Sequence, residues 1–298
     1  MISQELLFVI ILTTLAYTSV YIIDKFIVSK KASNVYAYTV VSVSIFWIES
    51  IILAFFLNWT GITLLQLWKP FIAGIISGAF YITYFYILNK DEASHAVPLM
   101  YLSPIGLTLI HFLFLKSSFT IYQLLGIGGA TLGVIILESR HTIKQFFHSK
   151  TTLFGIGYGL LVGIPIAINE AASQEIFFWN IQPIFATGSI ISVSILLIRK
   201  DVRMSILKHY KLVKYTVISE ALTITGNIAF WYGITLIGAP LLSGISQITP
   251  LILFTTTTVI SRYYPHIIEE DQQRTTLLRK TIAITLIVLG TGMIVYAL

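Results

Sequence analysis

Residues 5–28 read ELLFVIILTTLAYTSVYIIDKFIV. The only charges in this run are Glu5 at its start and the pair Asp24-Lys25 near its end. At 1.5 Å of rise per residue, a helix of this length crosses a hydrocarbon core of roughly 30 Å. No basic residue precedes the run, so it lacks the n-region of a cleavable leader and is expected to stay as a first span. Working outward, nine further runs have the same character, at roughly 36–57, 69–89, 93–115, 120–138, 153–173, 178–199, 213–236, 239–261 and 277–297. Short linkers such as Asn89 to Glu92 and Ile237 to Gly238 make sequential helices antiparallel neighbours.

The composition says the same. The chain has 298 residues, 56% hydrophobic, 13% aromatic and 11% charged, where a soluble domain carries roughly 25% charge. Its mean hydropathy is +0.86. With 19 basic and 13 acidic residues there is too little charge to coat a soluble globule. A soluble enzyme, a nucleic-acid module and a disordered chain are excluded. The net charge of +6 reflects loop asymmetry rather than a nucleic-acid partner. Sixteen of the 19 basic residues, from Lys30 and Lys31 to Arg279 and Lys280, fall in or beside the loops after runs 1, 3, 5, 7 and 9. That bias places those loops in the cytoplasm and both termini outside. There is no cysteine, hence no disulfide framework and no thiolate metal site.

The halves resemble each other at an offset near 146. Tyr84-Phe85-Tyr86 aligns with Phe230-Trp231-Tyr232, Ala93 with Ala239, Leu102-Ser103-Pro104 with Ile248-Thr249-Pro250, and Asp24-Lys25 with Asn169-Glu170 at an offset of 145. Five spans per copy is an odd number, so the second copy enters the membrane from the opposite side. Such inverted repeats are a design of secondary transporters and put a site at the repeat interface near the midplane. The expected architecture is all-α and polytopic: ten transmembrane helices around a central cavity, with one repeat over 1–142 and the other over 151–298.

Gly78-Ala79-Phe80-Tyr81-Ile82-Thr83-Tyr84-Phe85-Tyr86, then Ala93-Ser94, Leu102-Ser103-Pro104 and Phe119-Thr120-Ile121-Tyr122-Gln123-Leu124-Leu125-Gly126, resemble the EamA family of the drug/metabolite transporter superfamily. Lys116-Ser117-Ser118 departs from the Gly-Glu-Arg usual before the threonine. The resemblance implies ten helices around a cavity and movement of small metabolites, export of amino acids or related compounds among them.

Polar groups deep in a bilayer are expensive and therefore informative. Pro104 and Pro250 sit at matching places in spans 4 and 9, where each breaks helical bonding. Tyr101 and Gln247 stand three residues before them, and Tyr81 aligns with Asn227. All four lie within roughly 5 Å of the midplane by helical rise. They either face a shared cavity or join helices by hydrogen bonds. Glu220, Thr223, Asn227 and Trp231 share a helical face, and Tyr84 lies one turn beyond Tyr81. The substrate-binding candidates are thus Tyr81, Tyr84, Tyr101, Asn227, Trp231 and Gln247. Glu49 and Glu220 are candidates for proton coupling or charge recognition, or else structural carboxyls. Lys25 and Glu170 each lie about 13 Å from the midplane on opposite sides, too far apart for an ion pair, so each is assigned to a gate on its own side. His95 and His111 are too far apart for one metal site, and no catalytic or phosphate-binding motif appears.

The sequence is read as a non-ATP transporter working by alternating access in a bacterial inner membrane. It is not an enzyme and has no cofactor or metal. Its partners are a small-molecule substrate and the lipid bilayer, with no nucleic acid and no obligatory protein partner (a monomer or weak homodimer). The competing classes are a membrane enzyme acting on lipid-linked substrate and a non-transporting assembly subunit, which would have a packed centre.

Overall fold

The structure is a computed structural model and describes residues 3–90, 101–115, 117–138, 150–206, 212–264 and 274–298. Among these it is helical throughout, with thirteen α-helices. They are α1 (Gln4–Lys30), α2 (Val35–Ala54), α3 (Leu64–Lys90), α4 (Ser103–Leu113), α5 (Ile121–Glu138), α6 (Lys150–Leu161), α7 (Gly163–Ser173), α8 (Phe178–Val193), α9 (Lys200–Ile206), α10 (Val213–Ile237), α11 (Ala239–Ile245), α12 (Ile248–Tyr263) and α13 (Arg274–Tyr296). The expected span at 93–115 is described only from residue 101. Ala93, Ser94, His95, Lys116 and the loop residues around Arg140, Lys144, Lys208 and Lys211 lie outside the described residues.

Six stretches among the described residues are long and apolar enough to cross a membrane: Gln4–Lys30, Val35–Ala54, Leu64–Lys90, Phe154–Ser173, Phe178–Ile198 and Ala239–Tyr263. Ser103–Leu113, Ile121–Ile136 and Thr281–Tyr296 are shorter apolar helices. α10 has the length, 25 residues, and is interrupted by Lys214, Glu220 and Asn227. The chain is a multi-pass membrane protein. Its outer surface is apolar, with Phe8, Phe112, Ile121, Phe177 and Val288 all exposed. Its interior holds polar groups such as Thr13, Asp24, Ser42, Gln182, Glu220 and Gln247. A soluble globule has the reverse distribution.

Local chemistry fixes the helix ends. Ser3 caps α1 by accepting the Leu6 N–H at 3.1 Å. Asn34 caps α2 by accepting from Tyr36 and Ala37. Spans 6 and 9 are each interrupted: α6 stops at Leu161 and α7 starts at Gly163, while α11 stops at Ile245 and α12 starts at Ile248. Pro104 lies in the first turn of α4, and Pro250 is the third residue of α12. Both prolines therefore sit where a helix begins, a position that needs no amide donor.

The most extensive packing joins one half of the chain to the other: α5 on α13, α3 on α8, and α1 on α10. Two of these contacts depend on glycine. A Cβ on Gly74 would strike the Phe185 carbonyl, and one on Gly188 the Phe71 carbonyl, so α3 and α8 touch backbone to backbone. A Cβ on Gly133 would lie 2.7 Å from the Ala283 carbonyl, and one on Gly126 2.7 Å from the Gly290 carbonyl, between α5 and α13. Lipid supplies no hydrophobic drive between helices, so such close backbone packing is a main source of adhesion. Polar ties close the two ends of the bundle. At one end Lys69 pairs with Glu175 and Asn180 donates to the Asn58 carbonyl at 2.9 Å. At the other Asn34 donates to Asp201 at 3.4 Å and Lys25 to the Leu88 carbonyl at 2.8 Å.

Candidate functional site

Between the halves lies a cavity of about 220 Å³, room for several waters at about 30 Å³ each. α1 brings Tyr17, Tyr21 and Asp24 to its wall, at helical spacings of four and three residues. α3 brings Phe80, Tyr81 and Tyr84, and α10 brings Glu220, Thr223, Asn227 and Trp231. Span 4 adds Tyr101 and Ser103, and the interrupted spans 6 and 9 add Tyr158, Asn169 and Ser243. The wall is thus rich in aromatic side chains, with two carboxyl groups, and among the described residues no Lys, Arg or His lines it.

The carboxyl groups sit close together. The Tyr84 hydroxyl donates to Asp24 Oδ2 at 2.8 Å, and the Ser219 hydroxyl to Asp24 Oδ1 at 2.7 Å. Ser219 is the neighbour of Glu220, whose Oε1 accepts from the Ser42 hydroxyl. A second chain crosses the middle of the bundle. Tyr17 donates to Asn227 Oδ1 at 2.8 Å, Asn227 to Gln182 Oε1 at 3.4 Å, and Gln182 to Ser50 Oγ at 2.9 Å. The Tyr21 ring holds the others in place, its centroid 6.4 Å from that of Tyr17, 6.1 Å from Tyr84 and 6.2 Å from Tyr101.

Of the residues singled out from sequence, Tyr81, Tyr84, Tyr101, Asn227, Trp231 and Glu220 all line this cavity. Gln247 does not. Fully buried, it donates to the Tyr101 carbonyl at 3.1 Å and to Thr131 Oγ1 at 2.9 Å. It sits in the break between α11 and α12, where helical phase is lost, and there it ties the break to the first half. Glu49 lies on α2 away from the cavity, half-buried, with Oε2 lacking a hydrogen-bond partner. Lys25 and Glu170 have separate partners. Glu170 Oε1 accepts the Ala239 N–H at 2.9 Å, and Oε2 lies 2.7 Å from His111 Nε2. This carboxylate joins α4, α7 and the start of α11 at one end of the cavity, while Lys25 lies toward the other.

Asp24, Tyr17, Tyr21, Tyr158 and Asn169 were not singled out as site residues. The spacing of Tyr17, Tyr21 and Asp24 along one face of α1 is the signal that finds three of them. Among the described residues no group of three His, Asp or Glu side chains is placed to hold a metal ion.

Residues 5–139 match the EamA-like transporter family, part of the drug/metabolite transporter superfamily. This is the resemblance read from the motifs at 78–126, now shown over the first half of the chain. A solved structure titled "Crystal structure of protein" shares the fold, with a TM-score of 0.64 over 97% of this chain and 96% of that chain, at 14% identity. No curated protein matches the chain.

Proposed function

We propose that this chain is a ten-helix secondary transporter that moves a small organic solute through the central cavity by alternating access. The halves 1–142 and 151–298 act as inverted repeats that rock against each other. The observation that carries the reading is a polar and aromatic cavity inside a bundle whose outer surface is apolar. A structural subunit has no use for such a void, since a packed centre is more stable. The EamA-like match over residues 5–139 supports it, as do helix interruptions in spans 6 and 9 beside the cavity.

In this reading Tyr81, Tyr84, Tyr101, Asn227 and Trp231 contact the solute. Glu220, joined by Asp24, recognises charge or carries a proton. Glu170 with His111 holds the gate at one end and Lys25 the gate at the other, and Glu49 acts from outside the cavity. The solute is a small organic metabolite bearing an ammonium group, amino acids and their amine relatives being the field. The membrane is the bacterial inner membrane, with both termini outside.

The test is counterflow in proteoliposomes holding the purified chain. Vesicles preloaded with an amine and amino-acid mixture are expected to accumulate the matching labelled solute, and Asn227→Ala to abolish the uptake. Absence of uptake for the whole mixture, from protein that is folded and correctly inserted, overturns the transport reading.

A further inference from the structure

We propose that the cavity selects organic cations that carry an ammonium group and no carboxylate, with Asp24 and Glu220 as paired charge acceptors. The inference rests on the transport reading of the same cavity and narrows its substrate class.

Charge balance is the first argument. Asp24 and Glu220 are 2% and 3% exposed and are linked through Ser219 and its neighbour in α10. Buried carboxylates need a cation or a proton for compensation. Among the described residues the wall supplies no basic side chain. The basic groups at the two ends of the cavity have other partners, Lys25 the Leu88 carbonyl and His111 Glu170. A bound ammonium supplies the missing charge. A zwitterionic amino acid brings it with a carboxylate on the same carbon, held beside two acids and facing no cation.

The aromatic wall is the second. Tyr17, Tyr84 and Tyr101 surround Tyr21 within 6.4 Å of ring-centre distance, and ring faces attract ammonium groups most strongly where water is excluded.

The third is independent of the acids. Asn169 Oδ1 and Ser243 Oγ belong to the cavity wall and are buried without any hydrogen-bond partner. Such atoms are costly unless a donor reaches them. Asn169 adjoins Glu170, and Ser243 lies one turn from Ala239, so both sit toward the Glu170–Ala239 junction. Asp24 adjoins Lys25 at the opposite end. The fitting ligand is elongated, with an ammonium at the acids, an apolar or aromatic middle, and a hydroxyl or second amine donating to Asn169 or Ser243. A carboxylate has no proton to donate there.

Three probes separate the classes on one scaffold: tyramine, tyrosine methyl ester and tyrosine. Their binding to the purified full-length chain is measured by calorimetry near neutral pH. Tyramine and the ester are expected to bind at least about tenfold tighter than tyrosine. Asp24→Asn and Glu220→Gln are each expected to weaken tyramine by about tenfold or more, while exposed Asp201→Asn leaves it unchanged. The comparison on the unaltered protein stands even where a carboxyl variant fails to fold. Tyrosine binding as tightly as tyramine overturns the proposal. So does failure of tyramine, agmatine and phenethylamine alike to bind at millimolar concentration. Amine binding without counterflow in vesicles keeps the substrate class and sinks the transport reading. Counterflow of tyrosine but of no amine keeps transport and sinks the class.

Discussion

At the scale of single residues, the polar side chains divide into those aimed at the cavity and those holding the frame. Gln247 belongs to the frame. Gln247→Ala removes both of its hydrogen bonds, to the Tyr101 carbonyl and to Thr131, at a fully buried position. The expected loss is about 1–3 kcal/mol of stability, read as a lower unfolding temperature in detergent. Glu170 joins Ala239 and His111 at one end of the cavity, the end it closes in the proposed transport cycle. Glu170→Ala is expected to raise the rate at which a cysteine placed at Ser243 reacts with a water-soluble maleimide. An unchanged rate removes Glu170 from the gate. On the surface, Arg199 donates to Asp201 at 2.9 and 3.2 Å and holds that carboxyl below the usual carboxylate range. A lowered carboxyl stabilises the fold above its unfolded value, and that contribution disappears as pH falls through the folded value. The stability difference between Asp201→Asn and the unaltered chain is therefore expected at neutral pH and absent in acid. Both groups are exposed, so added salt shrinks it.

At the scale of helices, much was legible in the sequence because apolar length and polar faces carry it directly. Glu220, Thr223, Asn227 and Trp231 fall on one face of α10 by spacing alone, and all four reach the cavity. Asp24 is hard to find from depth because it lies near the end of its apolar run, far from the midplane. Depth says how far a residue lies from the midplane and nothing about which way it turns. Gln247 misled for the complementary reason. Its depth was central, but the break between α11 and α12 resets the helical phase, and the side chain points into the α5 contact instead. Helix contacts also separate glycines that are alike in sequence. A methyl group on Gly188 meets the Phe71 backbone, whereas one on Gly128 meets nothing within 4 Å. Gly188→Ala is expected to destabilise by about 1–3 kcal/mol, since backbone cannot move aside as a flexible side chain can. Gly128→Ala is expected to be neutral or to stabilise by up to about 1 kcal/mol through helix propensity. Equal unfolding temperatures for the two variants would remove the close α3–α8 contact from the account.

At the scale of the whole molecule, the hydrogen bonds already sort the loops into two sets. The 55–63 segment and the start of α8 are tied by Asn180 to Asn58, and Lys69 at the start of α3 is paired with Glu175 after α7. The turn after α1 is tied to α9 through Asn34 and Asp201. Alternating passage of antiparallel spans demands this grouping, and the bias of basic residues predicts a direction, the Asn34–Asp201 end being the one expected in the cytoplasm. The chain has no cysteine, so single cysteines report sidedness without background. Cysteines at the exposed positions Thr60 and Ser118 are expected to react with a membrane-impermeant maleimide from outside intact cells. Cysteines at exposed Ser33 and Asp201 are expected to react only in inverted vesicles. The opposite pattern keeps the fold and reverses the direction, with both termini then inside. A mixed pattern within one set breaks the alternation itself. It would remove the inverted repeat on which the rocking mechanism depends, since two five-helix halves enter from opposite sides only when each half crosses an odd number of times.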